Sequence, residues 1–187
     1  GYFVIMVVHA GVEHINAPPP HIVNLYRKYC RFGCDIVVGH HPHVPQYYED
    51  YLNSKIFYSL GNFLMRKGCW DNEASIGQIL TLELNSNKVL TTLNYINIKD
   101  YYITLNKKEN YKKINNKLQE SFKNREKIWD NYVKDKYNPI KLFLNSDLLI
   151  LNFSRIYLRF LNILRTPSHQ YGFNRWIKNN KEKIIKE

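Results

Sequence analysis

Residues Tyr2-Phe-Val-Ile-Met-Val-Val8 form an unbroken apolar run rich in β-branched side chains. With no polar position to turn toward water, the run predicts a strand buried on both faces. It is too short to span a bilayer. A chain rarely opens on its own central strand, so further sequence is expected upstream. A loop, His9-Ala-Gly-Val-Glu-His14, leads to Pro18-Pro-Pro20. The pattern then changes period. Ile22, Leu25, Tyr26, Tyr29 and Cys30 fall on one helical face, which predicts a helix from about His21 to Phe32 with Gly33 just past its end. Asp35-Ile-Val-Val38 predicts a second buried strand, so residues 2–38 read as a βαβ unit.

Ile56–Leu60 predicts a third strand, closed by Gly61-Asn62. Residues 79–84 and 89–98 alternate around Asn85-Ser-Asn-Lys88 and predict an antiparallel hairpin. The sheet-forming part is expected to end near Asp100. From Asn106 to Lys136 a narrow apolar stripe (Tyr111, Ile114, Leu118, Phe122, Ile128, Trp129) runs through Lys, Asn and Glu, as on an exposed helix. Leu142–Leu164 is denser. Its polar positions lie along one stripe, but Asp147, Arg155 and Arg159 interrupt it, which argues against a transmembrane span. A buried helix is the first reading there. A helix lying at a membrane surface, over residues 140–165, is the second. Thr166-Pro-Ser-His169 breaks this helix and a basic tail follows.

Charge sharpens the division. The chain carries 27 Lys/Arg and 16 Asp/Glu. Residues 1–100 hold eight of each, leaving nineteen basic and eight acidic residues for 101–187. Two parts are therefore expected, 1–100 and a basic helical appendage over 101–187. Such an appendage suits anionic lipid, nucleic acid or an anionic polymer, or is a solvated helical surface. Tyr101, Tyr102, Tyr111 and Trp129 among lysines would serve as stacking platforms for a nucleic acid, but their helical spacing favours core packing and disfavours that partner. The three cysteines, Cys30, Cys34 and Cys69, include no Cys-x-x-Cys pair, which argues against a disulfide framework and a zinc ribbon.

Histidine placement carries the chemistry. Six of the seven histidines fall within the first 43 residues. His41 and His43 flank Pro42, whose ring restricts its own backbone and that of the residue before it. That stiffening lowers the entropy lost when two imidazoles converge, and neutral imidazole is the commonest metal ligand. In βαβ units, ligands gather at the carboxyl ends of parallel strands. His9 and the His40–His43 cluster both lie at such ends, so they are expected on one rim. A loop histidine that only hydrogen-bonds is the competing reading; the clustering favours a metal.

These residues also carry a resemblance. Strand-His9-Ala-Gly-Val-Glu13 is similar to the His-Trp-Gly-x-Glu segment of CapA-type capsule-synthesis proteins. Asp35-Ile-Val-Val-Gly-His-His-Pro-His-Val44, with Gln46 and Glu49, resembles their Gly-x-His-Pro-His-Val signature. Tyr58-Ser-Leu-Gly-Asn-Phe63 matches a third block, in the same order. The family is bacterial, belongs to the calcineurin-like metallophosphoesterase superfamily and is associated with poly-γ-glutamate and other capsule polymers. The resemblance covers residues 2 to about 65 and implies an α/β fold, part of a metallophosphoesterase-like β-sandwich flanked by helices.

It further implies His9, His41 and His43 as metal ligands, with Glu13 orienting an imidazole or a metal-bound water. His40, Ser59 and Asn62 are expected to shape the rim. Two divalent ions (Mn, Fe or Zn) are implied for the complete protein, and one or none for this chain, because the family's first metal motifs are expected upstream. The implied activity is hydrolysis or transfer at a phosphoester or acyl-phosphate, on an anionic polymer or phosphoester substrate in the cell envelope. A non-catalytic envelope scaffold is the alternative. Ala10 stands where the family has Trp, which implies a wider mouth or looser substrate stacking.

Overall fold

The computed structural model describes residues 2–64, 75–85, 88–99, 101–136 and 167–184. The chain is mixed α/β and divides into two compact units, 1–125 and 126–187.

In the first unit, β1 (Ile5–His9), α1 (Pro20–Arg31) and β2 (Ile36–His40) form the expected βαβ unit, with β1 and β2 parallel. Then come β3 (Tyr48–Tyr51) and β4 (Ser54–Phe57). The first sheet has the order β1-β2-β4-β3, with β4 parallel to β2 and β3 antiparallel to β4. The second sheet is an antiparallel meander of β5 (Ile76–Asn85), β6 (Lys88–Lys99) and β7 (Tyr102–Leu105).

The two-residue period of β2 explains how three layers share one core. Val37 points into a cluster with Ile22, Val23, Tyr26 and Cys30 of α1, joined by Ile56 and Tyr58. Ile36 and Val38 point the other way, with Phe57, against Leu80, Leu82, Val89 and Leu93 of the second sheet. A helix, a sheet and a second sheet are thus stacked on one central strand. Pro19 and Pro20 place α1: proline at the first helical positions sacrifices no internal hydrogen bond. Gly39 lets the layers close. A Cβ there would stand 2.0 Å from the Tyr58 carbonyl oxygen and 2.8 Å from the Tyr26 hydroxyl.

Four expectations need correction. β1 is not buried on both faces: Ile5 is 43% and Val7 66% exposed. Among the described residues β1 is an edge strand, and an apolar run does not reveal whether a neighbour covers it. The sheet does not end near Asp100, because Tyr101 turns the chain at φ 71° into β7, which pairs with β6. The stretch from Asn106 to Lys136 is two helices, α2 (Lys108–Lys123) and α3 (Arg125–Lys136), broken at Asn124. The third expected strand begins and ends earlier, at Ser54 and Phe57, since Tyr58–Leu60 leaves the ladder to form the site loop. Cys30 and Cys34 are buried free thiols, and Cys34 lies just beyond the end of α1.

In the second unit, α4 (Pro167–Ile184) forms over the basic tail, beginning at the Pro167 expected as a helix break. Arg175 on α4 donates from Nε to Asp130 at 2.7 Å and from Nη2 to Glu126 at 2.8 Å, and Asn179 adds a 3.0 Å bond to Asp130. The Arg175 bond, ahead of the opposing effect of burial, holds the Asp130 carboxyl below its usual range. The expected helix over 142–164, its membrane-surface reading and Cys69 lie outside the described residues. Among the described residues no helix is long and apolar enough to cross a membrane.

Candidate metal centre

The parallel register pairs His9 directly with His40, and Ala10 N donates to His40 O at 3.1 Å. Both strands therefore end at the same level, and the loops after them meet. His14 N donates to Pro42 O at 2.9 Å, which lays the 9–14 loop over the His41-Pro42-His43 loop. Gly11, at φ 131°, permits the crossing: a Cβ would approach Pro42 to 3.1 Å. Pro42 itself is fully buried.

His41 and His43 adopt φ values of 97° and 62°. Left-handed backbone is costly for non-glycine residues and persists where surrounding structure enforces it, commonly at functional sites. The enforcement is visible here. Buried Ser59 donates from Oγ to Val44 O at 2.9 Å and accepts from Gly61 N at 3.1 Å. Gln46 N donates to Ser59 O at 3.0 Å, and its Nε2 donates to Ile15 O at 2.7 Å. The two loops and the Tyr58–Asn62 segment are sewn into one wall.

The result is a cleft of about 500 Å³. His9, His40, His41 and His43 line one side, Asn62 and Gly61 the floor, and Leu60, Phe63, Ile79 and Leu80 an apolar flank. The His9 and His41 rings lie 5.0 Å apart, and those of His41 and His43 6.0 Å apart. One nitrogen each from His41 and His43 and a carboxylate oxygen of Glu13 fall within 4.8 Å of one another, which fits a single small cation. His43 Nε2 stands 4.0 Å from Glu13 Oε1. Its other nitrogen, Nδ1, donates to Asn62 Oδ1 at 2.9 Å. That bond places the proton on Nδ1 and leaves the Nε2 lone pair facing Glu13, the arrangement a ligating imidazole needs. Burial, and then the neighbouring His9, lower the pKa of both His40 and His41, which favours the neutral form that binds metal.

The structure thus brings His9, His40, His41, His43 and Asn62 to one cleft, with Glu13 near His41 and His43 and Ser59 bonded behind the loop. A carboxylate oxygen of Glu13 lies close to nitrogens of both loop histidines, and the His9 ring stands 5.0 Å from that of His41. Asn62 does more than shape the rim: it orients His43. Ser59 holds the wall from behind. One neighbour was not anticipated. His14 stacks on His43 with ring centroids 6.2 Å apart, brought there by the bond from His14 N to Pro42 O, and its spacing from His9 gives no signal of this.

The family described as bacterial capsule synthesis protein PGA_cap matches residues 1–67, which contain every cleft histidine and Asn62. Residues 1–67 are thus similar to CapA-type capsule-synthesis proteins. The capsule biosynthesis protein CapA of Bacillus anthracis is 45% identical over 65 residues, 35% of this chain and 16% of that protein. The PGA biosynthesis protein CapA of Bacillus subtilis (strain 168) is also 45% identical over 65 residues, 35% of this chain and 17% of the relative. The matched segment therefore spans about one sixth of the curated CapA proteins it resembles.

Proposed function

We propose that the CapA-type segment supplies one face of a metal-dependent phosphoesterase-like site that serves capsule polymer synthesis. The reading rests chiefly on the convergence of Glu13, His41 and His43, with His43 oriented by Asn62. Two imidazoles and a carboxylate are a donor set suited to Zn, Mn or Fe. A divalent ion held there would supply Lewis acidity and an acidified water. The chain's own residues do the rest. His41 and His43 offer neutral nitrogens, and Glu13 offsets the cation's charge. His9 and His40 present ring N–H donors along the cleft wall for phosphoryl oxygens. Leu60, Phe63, Ile79 and Leu80 give the cleft an apolar border. The layering of α1 and two sheets suits part of a metallophosphoesterase-like sandwich, and a second metal position would draw on ligands from the rest of such a fold.

Metal binding tests this before activity does. The chain, stripped with chelator and titrated with Zn²⁺ and Mn²⁺ by calorimetry, is expected to bind about one ion through its three donors. His41→Ala/His43→Ala is expected to abolish binding. Asn62→Leu, which leaves every donor in place but frees the His43 ring, is expected to weaken it roughly 10- to 100-fold. A folded chain that binds neither ion, or binds equally well without both histidines, overturns the metal centre and leaves a CapA-type scaffold.

A further inference from the structure

A second cleft, of about 460 Å³, lies in the first unit away from the histidines. Three periodicities create it. Tyr48 and Asp50 share one face of β3, opposite Phe57 and Lys55 of β4 in register. Thr91, Leu93 and Tyr95 share one face of β6, two residues apart. Tyr111 and Asn115, four apart, share one face of α2. All of these side chains, together with Lys112, line the cleft.

Its chemistry is unlike that of the metal centre. Four aromatic rings form its walls, and they are fixed: Tyr95 is 3% exposed and meets Tyr111 edge-on at 5.2 Å, while Tyr48 lies 5.9 Å from Phe57. Tyr95 is also bonded to Asn115, at 3.5 Å. Rigid tyrosine faces offer contact area at little entropic cost. Polar atoms of Asp50, Thr91, Asn115 and the tyrosine hydroxyls provide donors and acceptors between the rings. The volume lies within the range of small-ligand sites. Such walls match a pyranose ring, whose C–H faces are apolar and whose edge carries hydroxyls. Charge narrows the class. Lys55 is engaged by Asp50, whereas Lys112 has no carboxylate partner among the described residues. One available cation beside one carboxylate suits a sugar with a single acidic group. It does not suit a polyphosphate strand, whose binding draws on several cations.

We propose that this cleft binds an acidic sugar unit of a glycan, with the ring against Tyr48 and Tyr111 and the carboxylate on Lys112. Titration of the chain with tri-galacturonic acid, maltotriose and oligothymidylate, followed by calorimetry and by amide NMR shifts, tests it. The acidic trisaccharide is expected to bind and to shift amides of β3, β6 and α2. Lys112→Glu, an exposed change that leaves the packing intact, is expected to weaken it at least about tenfold, the loss of a charge-assisted bond. Tyr111→Leu is expected to weaken all saccharide binding. Four outcomes overturn the proposal: no binding at millimolar ligand, equal affinity for maltotriose, tighter binding of the oligonucleotide, or indifference to Lys112→Glu. This cleft shares no residue with the metal centre, so either reading stands if the other fails.

Discussion

Glu49 is the polar hinge of the first unit, and replacing it makes a quantitative test of the packing. Its carboxylate accepts from Arg27 Nε at 2.8 Å and from the Tyr58 hydroxyl at 2.6 Å, with Arg27 Nη2 at 2.7 Å. Tyr58 is fully buried, stacks on Tyr26 at 5.7 Å and on Phe122 at 5.3 Å, and opens the segment that carries Ser59 and Asn62. Burial, followed by the Glu49 bond, drives its phenol pKa far up, so the hydroxyl stays a donor. Glu49→Ala orphans that donor, at a cost of about 1–3 kcal/mol. Arg27 is 29% exposed, so its lost pairing adds only about 1 kcal/mol. The expected loss is roughly 2–4 kcal/mol. Amide exchange at Val37 and Val38 in β2 reports the stability of this unit. Glu49→Gln keeps an acceptor and should cost about 1 kcal/mol. In a Tyr58→Phe background the hydroxyl is gone, and Glu49→Ala should cost 1 kcal/mol or more less than in the parent, by ~ the orphaned-donor cost. A loss below about 1 kcal/mol for Glu49→Ala, or no coupling to Tyr58, refutes the role given to this carboxylate.

Two further outcomes follow from single residues. Burial takes His21 from the usual 6.5 to about 4, so the folded state holds it neutral while the unfolded chain protonates below 6.5. Stability from this residue is complete above pH 6.5 and is lost as pH falls toward about 4; the urea midpoint should drop less steeply over that window in His21→Gln, and identical profiles would sink the idea. Gly39→Ala drives a methyl to 2.0 Å from the Tyr58 carbonyl oxygen at the heart of the three layers; a loss of about 3 kcal/mol or more is expected, measured as a fall in thermal midpoint, and an unchanged midpoint would show that the layers can part.

Much of this was legible in the sequence where a local pattern decides. The period switch from Tyr2–Val8 to His21–Phe32 and back at Asp35 fixed the βαβ unit, and the Asn85–Lys88 turn fixed the hairpin. β3 was not legible: Tyr48-Glu-Asp-Tyr51 lacks a strand's alternation, its tyrosines falling three apart, and only pairing with β4 makes it a strand. The exposure of β1 was misread because composition records what a strand can bury, not what covers it. At the site, the spacing of His41 and His43 made the gathering of the imidazoles legible. The partnership of Glu13 with them depends on the crossing at Gly11 and Pro42, a contact between loops that no spacing records. The saccharide cleft was invisible for the same reason, since its walls come from four elements.

The open flank of β1 has a bearing on how this protein behaves in a tube. Between Tyr2 and Val8 there is no lysine, glutamate, proline or glycine to discourage a second chain from laying a strand alongside. Sheet edges without such gatekeepers are templates for intermolecular pairing, and the side chains of Ile5 and Val7 add apolar adhesion to a backbone edge that is unpaired among the described residues. A formal charge of +11 would ordinarily keep copies apart. Salt screens that repulsion while leaving strand pairing intact, so raising ionic strength is expected to favour pairing wherever this edge is left uncovered.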